Sequence, residues 1–187
     1  KARLSRVGEG VQVMIYCPDQ KELFARICGY FEGIQFNIVD AKVHTTKHGY
    51  AFDTFQLLAA DGGQDYRSSI AQIEHELSDV LKQKGALGAP GQKRLSRQLK
   101  HFPIQPEVSI RPDDKGQFHV LTVTAGDRPG LLYGIAKVLS QYELNLHTAK
   151  IVTLGERAED VFVIGGATLN RPRAVIQLET DLLALMA

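Results

Sequence analysis

Tryptophan is missing altogether from the 187 residues, and cysteine and methionine occur only twice each. Two thiols, Cys17 and Cys28, are too few for a disulfide framework and show no metal-ligand spacing, so both are expected to be buried and reduced. No excess charge of either sign is present: 22 Lys and Arg stand against 21 Asp and Glu, a net charge of +1. A field that small draws the chain neither to nucleic acid nor to an anionic membrane, and any such partner would need a local patch. No apolar run approaches the ~20 residues of a membrane-spanning helix. The opening KARLSRVGEG also lacks a hydrophobic signal core. These absences predict a soluble, cytoplasmic protein without a membrane or nucleic-acid partner. The opening Lys1 adds the expectation of a piece of something longer. What remains, 44% apolar and 23% charged residues, is ordinary globular usage for one or two domains.

What is present is a repeat. Sliding the sequence by 108 positions (127 − 19 = 108) lays Asp19 on Asp127, Leu23 on Leu131, Ile27 on Ile135, Asn37 on Asn145, Ala41 and Lys42 on Ala149 and Lys150, and Thr45 on Thr153. With one residue dropped from a turn, Asp53 and Phe55 meet Asp160 and Phe162. Each copy reads strand, helix, strand, strand, helix. VQVMIYC (11–17) and FHVLTVTA (118–125) are rich in β-branched and apolar residues and stop at turns. Leu131, Leu132, Ile135, Val138, Leu139 and Tyr142 then form one helical stripe, repeated by Leu23, Phe24, Ile27, Tyr30 and Phe31. FNIVDAKVHTT and YAFDTFQLL, like LNLHTAKIVTL and EDVFVIGGATL, read as strand pairs across short turns. Closing helices carry Tyr66, Ile70, Ile73, Leu77, Val80 and Leu81 in one copy, and Val175, Leu178, Leu182 and Met186 in the other.

This order predicts an α+β protein of two ferredoxin-like βαββαβ units, each an antiparallel sheet with helices on one face. The first unit is expected over 11–112, with a linker at 85–105 and EVSIRP (107–112) as its fourth strand. The second spans 117–187 and runs out of chain before a last strand. Residues 1–10 then form a lead or a strand donated to that second sheet. Lys93, Arg94, Arg97 and Lys100 in the linker read as a solvated basic face, with contact to another domain of a longer parent chain as the alternative.

The chemistry concentrates in TAGDRPGLLYGIAKVL. Asp127 suits a helix N-cap, Pro129 a first helical turn, and Gly130 lets a ligand approach the backbone without a Cβ in the way. Amide groups of a first turn suit a carboxylate. Phosphate-binding loops of the Gly-x-x-x-x-Gly-Lys or Gly-x-Gly-x-x-Gly type are absent, so a nucleotide is not the expected ligand. Asn145, opening the next strand, can both donate to and accept from a zwitterion. A plain strand-to-helix turn remains the alternative.

Asp-Arg-Pro-Gly-Leu-Leu followed by a helix and Asn-Leu-His resembles an ACT domain, a module that binds amino acids and regulates enzymes. The strings HTAKIVTLGERAEDVFVI and YCPDQKELFARICGYFEGIQFNIVDAKVHTTKHGYAFDTFQ are similar to the C-terminal ACT pair of the bifunctional PII uridylyltransferase/uridylyl-removing enzymes. That resemblance implies a glutamine sensor controlling nitrogen metabolism. Its partners would be the catalytic domains of a parent chain, through them the PII signalling protein, and a second copy through the ACT sheets. It also implies a parent that uses Mg and UTP. In this chain no catalytic residue, metal ligand or cofactor is expected, the six histidines being scattered.

ACT ligands sit where the loop after a first strand meets the second strand of a neighbouring unit. The resemblance thus places Asp127, Arg128, Gly130 and Leu131 on the loop side, with Asn145 and Leu146 on the strand side. Asp19, Gln20 and Asn37 mark a second, weaker site, because Glu22 stands where Gly130 does and sets a negative charge in the approach path. Two rival functions are an ACT scaffold without ligand, and RNA binding. HGYAFDTF (48–55) partly matches an RNA-recognition third strand, but His48 replaces its cation and the second copy has no stacking ring there. Packing of the Tyr50 and Phe52 face against another sheet is the preferred use of those rings.

Overall fold

The computed structural model describes residues 1–6, 9–60, 65–82 and 104–186. In chain order the elements are β1 (Ala2–Leu4), β2 (Val11–Pro18), α1 (Leu23–Gly33), β3 (Phe36–His44), β4 (Tyr50–Ala59), α2 (Tyr66–Lys82), β5 (Glu107–Pro112), β6 (His119–Gly126), α3 (Leu131–Gln141), β7 (Asn145–Leu154), β8 (Arg157–Gly165) and α4 (Pro172–Met186). A short 3-10 turn, Ala167–Asn170, precedes α4. The basic cluster at 93–100 and most of the expected linker lie outside the described residues.

All eight strands join one antiparallel sheet in the order β1-β2-β4-β3-β7-β8-β6-β5. The alternation of apolar residues selects the covered face. Val11, Val13 and Ile15 of β2 are buried, and so are Leu121, Val123 and Ala125 of β6. Over this face lie α1 and α3, whose buried stripes run through Leu23, Ile27 and Phe31 and through Leu131, Ile135 and Leu139. The opposite face has no helix among the described residues, and there Met14, Tyr16, Tyr50 and Phe52 are exposed.

Both edges differ from the expectation. β5 pairs with β6, from Glu107 opposite Thr124 to Pro112 opposite His119, so 107–112 completes the second sheet half and not the first. The reason is local. Asp113 accepts hydrogen bonds from the Gln117 and Phe118 amides, making a tight turn that folds β5 straight back on β6. β1 pairs with β2, from Ala2 opposite Val13 to Leu4 opposite Val11, so the N-terminal segment completes the first half and is not donated to the second. Neither half is short of a fourth strand, because each takes its edge strand from the chain preceding its first repeat strand.

The halves meet through β3 and β7, and their register carries the repeat into space. Lys42 lies opposite Lys150, its own repeat equivalent, as a local two-fold axis requires. The backbone keeps the same symmetry, since Gln35 and Glu143, again 108 apart, close α1 and α3 at φ 64 and 55. Side chains cross the junction too. Phe24 of α1 meets Phe162 of β8 edge-on with ring centroids 6.4 Å apart. Gly29 keeps the helices close, for a Cβ there would stand 3.1 Å from the Tyr133 ring.

Candidate functional site

Two cavities flank this junction, related by the same local axis. The first, of about 510 Å³, brings Asp19, Gln20 and Glu22 of the β2–α1 loop against Asn145 and Leu146 at the start of β7. The second, of about 470 Å³, brings Asp127, Arg128, Gly130 and Leu131 of the β6–α3 loop against Asn37 and Ile38 of β3. Loop and strand are thus exchanged between the expected groupings. Asn145 and Leu146 do not join the Gly130 loop, and Asn37 does not join Asp19 and Gln20. The exchange follows from β3–β7 pairing at the centre of the sheet, which sets each strand start beside the other half's loop.

In the first cavity the polar groups answer one another. Asp19 accepts from the Thr45 hydroxyl at 3.2 Å and from the Gln20 amide at 2.9 Å. The Gln20 side chain accepts from buried Arg26 at 3.2 Å, and Arg26 also donates to the Val80 carbonyl. Glu22, held left-handed at φ 60, reaches across the junction and accepts from Lys137 Nζ at 3.2 Å and Ser140 Oγ at 2.8 Å. Those hydrogen bonds hold its carboxyl below the usual range. On the floor, Asp53 is 1% exposed and accepts from the His44 amide at 3.2 Å; burial pushes it up to about 6.

The second cavity is built on the same plan with different occupants. Gly130 takes the place of Glu22 at φ 81, a left-handed conformation suited to glycine, and no side chain caps α3. The facing helix compensates: Glu32, at the repeat position of Ser140, puts its carboxylate 3.4 Å from where a Gly130 Cβ would stand. Asp160 replaces Asp53 on the floor, equally buried at 1%, and neither carboxylate oxygen has a hydrogen-bond partner of good geometry, the Val152 amide standing near it where the His44 amide binds Asp53. Burial pushes it up to about 7, partly offset by the Val152 amide and reinforced by Asp127. Asp127 is raised as well, by burial and then by Glu156.

Asp53, Asp160, Glu32, Lys137 and Ser140 were not among the candidate residues. For the two aspartates the signal was parity: Asp53 shares its strand face with Ala51, Phe55 and Leu57, all buried. Cys28 is buried and Cys17 half-buried, both as free thiols, so only the first meets the full expectation. Burial raises both thiols. Among the described residues no cluster of three His, Cys, Asp or Glu could hold a metal ion. No helix among them is long and apolar enough to cross a membrane.

Two ferredoxin-like units lie side by side, with cavities where loops meet neighbouring strands, the arrangement expected from the resemblance to paired ACT domains. A family model described as "Plant bHLH transcription factor, ACT-like domain" matches residues 2–82. At the level of whole sequences the chain is similar to the protein named "Bifunctional uridylyltransferase/uridylyl-removing enzyme" of Cupriavidus pinatubonensis, 56% identical over 191 residues. That alignment takes in 100% of this chain and 22% of the relative. The proteins of the same name from Ralstonia nicotianae and Chromobacterium violaceum are 50% and 51% identical, again over 100% of this chain and 22% of their own length. The chain therefore matches the C-terminal region, about a fifth, of bifunctional uridylyltransferase/uridylyl-removing enzymes.

Proposed function

We propose that this chain is a non-catalytic, regulatory sensor of free glutamine, and that the second cavity receives it. The observation that carries the reading is the uncapped start of α3 beside Gly130, facing Asn37 and a buried carboxylate without a partner. First-turn amides and Arg128 suit the ligand's carboxylate. In the first cavity Glu22 stands where Gly130 does in the second, and its carboxylate, held by Lys137 and Ser140, takes the place that a ligand's carboxylate would need. By occupying the junction, glutamine stabilises one packing of the two halves over another. Such coupling, typically ~1 to 3 kcal/mol, would bias catalytic domains elsewhere in a parent chain that add UMP to PII from UTP with Mg and take it off again. The setting is cytoplasmic nitrogen metabolism.

The test is calorimetry and thermal melting of the chain with a panel of amino acids. Glutamine raises the melting midpoint and binds once per chain, while asparagine and glutamate act weakly. A flat response to all of them refutes the sensor.

The exposed aromatic cluster favours a second, compatible role in packing. Tyr16 stacks on Tyr50 with centroids 5.2 Å apart and meets Phe52 at 6.4 Å. Such a patch fits a second sheet or a parent domain. Sedimentation of a Tyr16→Ser, Phe52→Ser variant tests self-association through it.

A further inference from the structure

We propose that Asp160 is the acceptor for the ammonium group of the amino acid that fills the second cavity; the assignment rests on the sensor reading above. The geometry is that of a carboxylate prepared for a cation. Asp160 lies on β8, on the floor of the cavity, 1% exposed and with both oxygens lacking a partner. A buried polar group in that state costs free energy until a donor arrives, and an ammonium supplies three.

The surroundings point the same way. From the β6–α3 loop Asp127 and Arg128 face the cavity, from the β7–β8 turn Glu156, and from α1 Cys28 and Glu32. Four carboxylates thus share this wall with one cationic side chain, so the floor attracts the positive end of a ligand. Its carboxylate is left for the helix amides and Arg128. Asp53, the repeat equivalent, is better satisfied, since it holds the His44 amide at 3.2 Å, whereas the matching Val152 amide offsets the burial of Asp160 only in part.

A further consequence separates this role from a structural one. An ammonium bound against Asp160 favours the ionised carboxylate. With the empty group pushed up to about 7, uptake at pH 7 should release roughly half a proton per ligand.

The experiment titrates L-glutamine and glutaramic acid, the same skeleton without the α-amino group, into wild-type chain and Asp160→Asn at pH 7, in two buffers of different ionisation enthalpy. Wild type is expected to bind glutamine with proton release and glutaramic acid at least tenfold more weakly. Asp160→Asn loses tenfold or more for glutamine, releases no proton, and no longer separates the two ligands. Proton release is read in the wild type, so it stands whether or not the variant folds, and circular dichroism checks the variant. Glutamine affinity within twofold of wild type in Asp160→Asn, or binding without proton release, overturns the assignment while leaving the sensor intact. Absence of binding by any amino acid overturns both, and equal heat from potassium or magnesium chloride alone overturns the ammonium role.

Discussion

Replacing Asp160 with Asn should make the protein more stable, and by an amount that depends on pH. The native carboxyl is pushed up to about 7 from an ordinary value of 3.8, so between those values the folded state holds a proton that the unfolded chain has lost. Stability therefore falls as pH rises through this window, at about 1.36 kcal/mol per pH unit for this one group. Asn carries no such burden and nearly preserves the shape of the protonated acid. The difference between variant and wild type should be small and level below pH 3.8. It should climb to roughly 4 kcal/mol by pH 7 to 8 and stay there. Acids pulled down by surface hydrogen bonds, Asp113 and Asp181 among them, titrate alike in both proteins and cancel in the difference. With no tryptophan to report, urea unfolding would be followed by far-ultraviolet circular dichroism at half-unit steps from pH 4 to 8.5. A difference that stays constant across that range would refute the buried, unpartnered state of Asp160.

The Gly130 position offers two more tests. Gly130→Glu forces a side chain into a left-handed conformation and brings a carboxylate up to Glu32, so it should lose roughly 2 kcal/mol in urea unfolding and abolish glutamine binding by calorimetry. Adding Glu32→Ser, which recreates the Ser140 arrangement, should restore about half of that stability but none of the binding. The converse change, Glu22→Gly, removes the contacts with Lys137 and Ser140 and widens the first cavity beside the start of α1. Calorimetric stoichiometry should then rise from one glutamine per chain to two, and a value still at one would show that other groups close that cavity.

Much of the fold was legible because its signals are local. Alternation in VQVMIYC and the apolar stripe from Leu131 to Tyr142 each lie within a few turns of chain, and the 108-residue repeat let one copy support the other. Edge strands were not legible in the same way. EVSIRP has the composition of a strand but nothing in it names its neighbour; the Asp113 turn, which does, is a short-range feature that favoured β6 over a more distant edge. The loop residues of the candidate site lie where expected, but their partners depend on β3 lying beside β7, a pairing of segments more than a hundred residues apart. Glu22 was read as an obstruction in the approach path, and its bonds to Lys137 and Ser140 became visible only with both helices in place. Asp160 was seen as a repeat match, and its inward parity in a strand of buried Ala158 and Phe162 was the clue to its burial.

The Lys42–Lys150 axis has an evolutionary corollary. Were the two halves separate identical molecules, every residue at the junction would occur twice by necessity, and a glycine at one helix start would impose a glycine at the other. Covalent fusion lifts that constraint. One loop was left free to send its own acidic side chain across the junction to Lys137 and Ser140 while its twin kept Gly130 and took its carboxylate from the facing helix, so two equal sides of a dimer can become unlike sides of a single chain.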